Sequence, residues 1–97
     1  MKITKSQAII LAKKYKINLD VINIDEWHYG LNVELEHGTK FGTFTNITNN
    51  NLFITAKIVI AHLTEFPDYY KRLLKLENSA DKYWSSRNKP NIFLSKL

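Results

Sequence analysis

Residues 30–38, GLNVELEHG, set two glutamates and a histidine among apolar residues and between two of the chain's three glycines. Two backbone periods fit this stretch. With a period of two, Leu31, Val33 and Leu35 alternate with Asn32, Glu34 and Glu36, and HGTKFGTFTNIT returns as the second strand of a hairpin over residues 31–47. With a helical period counted from an Asp25 cap, Trp27, Leu31 and Leu35 form one stripe. Gly30, Glu34 and His37 lie beside it, and Gly38 stands where helices commonly end on glycine. The helical reading is preferred and makes the chain all-α, a compact bundle of about four helices; the hairpin is the α+β alternative.

Outward from this stretch the helical period recurs. Thr4 followed by Gln7 reads as a capping box, after which Ala8, Leu11, Ala12 and Tyr15 share a face, predicting a first helix over about Lys5 to Lys16. TNITNNN is a loop rich in caps, with Thr48 or an asparagine available to start a third helix from Leu52 to Glu65. That helix is apolar on two sides, through Leu52, Ala56, Val59, Ile60 and Leu63 and through Ile54, Ile58 and Ala61, which predicts a central position or an interface. Pro67 suits the first turn of a fourth helix, with Asp68 adding negative charge at its start. Tyr69, Leu73, Leu76, Ala80 and Tyr83 then recur at spacings of four and three, widened by Trp84. Residues 1–87 read as a single helical domain and residues 88–97 as a tail whose Ile92, Phe93, Leu94 and Leu97 need a surface to dock on.

Ninety-seven residues suffice for one core and not for two. No apolar run approaches the roughly 20 residues of a membrane-spanning helix, and MKITKSQAII lacks a signal-peptide core, so the expectation is a soluble, intracellular protein without a membrane partner. The absence of cysteine removes disulfides, thiolate nucleophiles and cysteine-type zinc sites. The net charge of +5 is uneven: residues 1–20 carry five lysines and one aspartate, residues 21–40 four acids and one lysine, and residues 66–97 seven bases and three acids. Basic ends of this kind suit nucleic acid or an acidic protein, although a solvated lysine face gives the same balance. Twelve lysines against two arginines, with eleven isoleucines and ten asparagines, match codons drawn from an A+T-rich genome.

Two helices each carry a carboxylate and an imidazole three residues apart, Glu34 with His37 and His62 with Glu65. Packed together they could present four ligands to a divalent metal, as in outline do the paired motifs of di-metal carboxylate bundles. The structural alternative is a satisfied polar cluster between helices. No nucleophile elbow, phosphate-cradling glycine loop or HExxH motif is present, so no catalytic residue is assigned and no cofactor beyond a possible divalent metal is expected. The second candidate is a basic surface: Lys71, Lys75 and Lys82 on the outward face of the fourth helix, Arg87 and Lys89 beyond it, and Lys13 and Lys14 on the first helix. Such a surface contacts phosphates without reading bases.

Taken in order, GLNVELEHG, TNITNNN and KIVIAHLTEFPDYYKRLLKLE resemble a small uncharacterised domain family of phages, bacteria and large DNA viruses. The resemblance spans residues 25–77, with ELEHG and AHLxEFPDYY as its specific elements. It implies a signature of Gly30, Glu34, Glu36, His37, Gly38, Asn46, Thr48, Lys57, His62, Glu65, Pro67, Asp68, Tyr69 and Tyr70, and implies no activity. Where such sequences carry acidic residues after the TN-T element this chain has Asn49, Asn50 and Asn51, which argues against a metal role for that loop. The expected function is a non-enzymatic, viral or phage-type interaction module, a homodimer contacting nucleic acid through its basic ends, located in the host cell or the virion. A metal-binding protein or metal-dependent enzyme is the alternative.

Overall fold

The computed structural model describes residues 2–43 and 45–90. Four helices, α1 (Lys5–Lys14), α2 (Ile24–Glu34), α3 (Leu52–Glu65) and α4 (Tyr69–Trp84), are joined by loops and by two single 3-10 turns, Leu35–His37 and Thr39–Phe41. The fold is all-α. The hairpin over residues 31–47 is overturned, because no strand occurs among the described residues. The reason is burial: Trp27, Gly30, Leu31, Glu34 and Leu35 are all buried, a face with helical period, whereas Val33, which a strand would bury beside Leu31, is only partly so. Asn23 caps α2, its side chain accepting from the Asp25 amide at 2.7 Å, two residues ahead of the expected cap.

The start of the chain is anchored to α2. The Ile3 amide donates to Asn32 Oδ1 at 2.8 Å, and its carbonyl accepts from Asn32 Nδ2 at 3.0 Å and bonds His28 Nε2 at 2.7 Å. Thr4 and Gln7 then form the expected capping box. Ala8 and Ala12 are small enough to bring α1 close to α2, and the Trp27 indole donates to the Ala8 carbonyl at 2.9 Å. α1 stops at Lys14, two residues short of expectation, because Lys16 turns left-handed at φ 56°. The Lys16 amide reaches the Lys13 carbonyl at 3.2 Å and the Ile17 amide the Ala12 carbonyl at 2.9 Å, a Schellman closure with lysine where glycine is usual.

α2, and not α3 as the two apolar faces suggested, is the central helix: it packs against α1, α3 and α4. On α3 one expected face is inside, with Ala56, Val59 and Leu63 buried, while on the other Ile54 and Ala61 are exposed. α3 begins on Asn51, whose side chain accepts from the Ile54 amide at 3.1 Å. Pro67 lies in the turn ahead of α4 and Asp68 at its cap position, where it holds Arg72 Nε at 2.8 Å. The apolar seam of α4 is divided: Tyr69 and Leu73 pack on the core, but Leu76 and Tyr83 are 65% and 52% exposed. α4 therefore outruns the body of the bundle, consistent with overall extents of 44 × 26 × 22 Å. Ile92, Phe93, Leu94 and Leu97, the expected docking tail, fall outside the described residues. Among the described residues no helix is long and apolar enough to cross a membrane.

The left-handed Lys16 gives a direct test of this closure. A β-carbon in that region costs roughly 1–2 kcal/mol, which glycine avoids at the expense of extra entropy in the unfolded chain. Lys16→Gly is expected to raise the unfolding free energy by about 0.5–1 kcal/mol in urea denaturation; a loss of stability would contradict the closure.

Candidate functional site

Glu26, Gly30 and Glu34 recur every fourth residue along α2 and form a single line that receives the first turn of α4. Glu26 Oε1 accepts the amides of Tyr70 and, at 3.1 Å, Lys71, so a carboxylate from another helix satisfies the N–H groups that α4 leaves open. Gly30 makes room: a β-carbon there would lie 2.5 Å from the Tyr70 ring. The ring crosses this gap and its hydroxyl donates to Glu34 Oε1 at 2.9 Å. Tyr70 is fully buried and the Glu34 side chain is only 4% exposed.

Two imidazoles complete the cluster. His37, on the 3-10 turn after α2, places Nε2 at 3.5 Å from Glu34 Oε2, and His62, from α3, places Nε2 at 3.7 Å from Oε1. Either makes an ion pair with the buried carboxylate when protonated. The His62 ring is stacked on Tyr69, centroids 4.2 Å apart and planes 10° from parallel, and its Nδ1 is buried without a hydrogen-bond partner among the described residues. Burial, then the Glu34 charge and its hydrogen bond, push the Tyr70 phenol far above its ordinary range, so it is kept as a donor. Asp68 moves the other way, its carboxyl held below the usual range chiefly by the hydrogen bond from Arg72.

The loop TNITNNN is tied to the same turn. The His37 carbonyl accepts the amides of Ile47 at 2.6 Å and Thr48 at 3.1 Å. Asn46 Oδ1 accepts the Asn49 amide at 2.7 Å, and Asn49 and Asn50 adopt left-handed backbone, a conformation asparagine tolerates. The Asn50 side chain accepts from the Thr39 amide and donates to the Thr39 hydroxyl, and it fills the space where a β-carbon of Gly38 would stand. Gly38 is not left-handed, so close approach, and not the helix ending expected from sequence, requires glycine there.

Of the four candidate metal ligands, Glu34, His37 and His62 come together, whereas Glu65 is exposed at the end of α3 and makes no ion pair with a described residue. No three His, Asp or Glu side chains among the described residues are grouped so as to hold an ion. Glu36, adjacent in sequence, faces away and meets Lys40 at 3.8 Å. A groove of about 520 Å³ opens between α2 and the start of α4, along Val21, Tyr29, Pro67 and Leu74, and Glu34, His37 and His62 do not line it.

The candidate basic residues occupy two exposed regions. Lys13 and Lys14 lie on the last turn of α1, and Lys71, Lys75 and Lys82 on α4, with Lys89 beyond it. Arg87 folds back, donating to the Tyr83 carbonyl at 2.8 Å with its guanidinium 4.2 Å from the Tyr83 ring centroid. Sequence reasoning passed over Phe53, on the first turn of α3, which is 49% exposed between Lys14 and Lys57. The Phe53 and Lys57 spacing of four was a readable signal; the arrival of Lys14 from α1 was not.

Residues 8–79 match a family described as a protein of unknown function, DUF5661. No curated protein and no solved structure matches the chain.

The raised Tyr70 phenol has a signed consequence. Its stabilising effect is fully present below the unfolded value near 10 and is lost as pH rises through the folded value, because the unfolded chain then releases a proton the folded chain keeps. An alkaline absorbance titration is expected to show Tyr70 ionising only as the protein unfolds. Tyr70→Phe, less stable at neutral pH by about 1–3 kcal/mol, is expected to lose less of its stability above pH 10. Free titration of all five tyrosines in folded protein would contradict the buried hydrogen bond.

Proposed function

The chain belongs to DUF5661, and because that family supplies no activity we propose the function from the chain's own surface. It is a small non-enzymatic interaction module of phage or viral type, paired with a second copy, that grips nucleic acid or an acidic protein through its lysines. One observation carries this reading. Lys13, Lys14, Lys71, Lys75, Lys82 and Lys89 are exposed and form no ion pair with a described residue, whereas Lys5, Lys40 and Arg72 are each matched to a carboxylate. Unmatched cations repel one another and gain most from a polyanion whose condensed counterions they release. Arg87, held on Tyr83, contributes less than its charge implies.

Pairing is supported by the part of the α4 seam left uncovered, Leu76, Ala80 and Tyr83, whose alternating spacing of three and four suits a second helix. Ile54 and Ala61, exposed on α3, offer a further apolar surface. The module comprises residues 1–87, with residues 88–97 an appended segment that a partner can take, and it acts inside the host cell or the virion. The rival proposal, a divalent metal on Glu34, His37 and His62 with Glu65 standing apart, draws on the two imidazoles that converge on one carboxylate and requires these side chains to close up around the ion.

Titrating labelled duplex DNA with the full chain across a salt series tests the reading. The logarithm of the binding constant is expected to fall linearly with the logarithm of salt concentration, by about 0.9 per phosphate contacted. Lys71→Ala, Lys75→Ala and Lys82→Ala together are expected to flatten that slope and leave metal content unchanged. Affinity that does not respond to salt would end the polyanion proposal, and stoichiometric uptake of Zn or Mn lost in His37→Ala and His62→Ala would put the metal proposal in its place.

A further inference from the structure

Phe53 is a large ring left in water by a helix whose buried side lies elsewhere. Its edges and faces are not empty, however. The Tyr15 ring meets it edge to face, centroids 5.5 Å apart at 74°, and the ammonium groups of Lys14 and Lys57 stand 5.5 and 5.4 Å from its centroid. Lys14 comes from the last turn of α1, Lys57 from one turn further along α3, and the first turn of α3 carries no acid. Both lysines are exposed and neither forms an ion pair with a described residue. A ring held by Tyr15 and flanked, among the described residues, by two exposed ammonium groups presents what an unpaired base with its flanking phosphates requires. The base offers a flat surface to stack on the ring, and the phosphates draw the ammonium groups aside.

We infer that Phe53, with Lys14 and Lys57, is a stacking site for one base of a single-stranded nucleic acid, the two lysines contacting phosphates on either side. The inference rests on the polyanion reading above and adds to it a preference for single strands over duplex. In a duplex the bases are already stacked on one another, so the ring gains nothing from it. DNA and RNA share the chemistry of a flat base between two phosphates, and oligothymidylate and oligouridylate distinguish them.

The test compares labelled oligothymidylate, oligouridylate and heparin, a polyanion without bases, on the full chain. Phe53→Leu is expected to weaken oligonucleotide binding about 5- to 150-fold while heparin binding and the salt slope stay unchanged, and Phe53→Trp is expected to retain it. Lys14→Gln with Lys57→Gln is expected to lower the oligonucleotide salt slope by about 1.4, two phosphates at roughly 0.7 each. Oligonucleotide binding by Phe53→Leu equal to that of the unsubstituted chain, or an equal loss of heparin, would overturn the stacking site. Heparin binding by the unsubstituted chain without oligonucleotide binding would overturn the stacking site alone. Failure to bind either polyanion would overturn the polyanion reading with it.

Discussion

The hydroxyl of Tyr70 reaching Glu34 across Gly30 is the contact on which the rest of the bundle depends. It joins α4 to α2 between two side chains shut off from bulk solvent, so each partner is costly without the other. The requirement runs outward through the sequence. Glycine at position 30 is needed for the ring to pass, Glu26 one turn earlier terminates the open amides of α4, and Tyr69, adjacent to Tyr70, stacks on His62 and fixes α3 against both.

The same constraint explains why so many polar residues of GLNVELEHG and TNITNNN have structural tasks. A buried carboxylate with a single hydrogen bond among the described residues needs further positive or donating groups, and His37 and His62 approach its two oxygens from different elements. His37 is in turn held by its carbonyl, which takes two amides from the asparagine-rich loop, and that loop closes on Gly38 through Asn50. Gly30, Glu34, His37, Gly38 and Asn46 are therefore accounted for by packing and hydrogen bonding. Lys57, on α3, is exposed and stands 5.4 Å from the Phe53 ring centroid, on the surface where the proposed function lies.

Much of this was legible where a local signal has a local cause. The capping box at Thr4, the span of α3 and the meeting of Glu34 with His37 and His62 follow from spacing and from cap chemistry. Apart from the approach of His62 to Glu34, contacts between distant segments were not legible. Tyr70 stands beside the Tyr69 and Leu73 seam in sequence, and nothing local shows that it, and not the seam, reaches the center of the bundle. Glu26 looks like an ordinary acid in a first turn, yet it caps a different helix. α3 carries the more apolar sequence, but it is α2 that packs against α1, α3 and α4, with Gly30 admitting the Tyr70 ring. Lys16 in a left-handed turn contradicts its own preference and is imposed by the return of Ile17 to the core.

The central claim is that ELEHG is structural and that function lies on the lysine-bearing surface. A double-mutant cycle of Glu34→Ala and Tyr70→Phe, followed by urea unfolding, tests it most directly, with duplex binding measured on each variant while folded. The account predicts a coupling of about 1–3 kcal/mol between the two positions, with DNA affinity unchanged in every variant that folds. Additive effects on stability, or a loss of DNA binding in a folded Glu34→Ala variant, would contradict it.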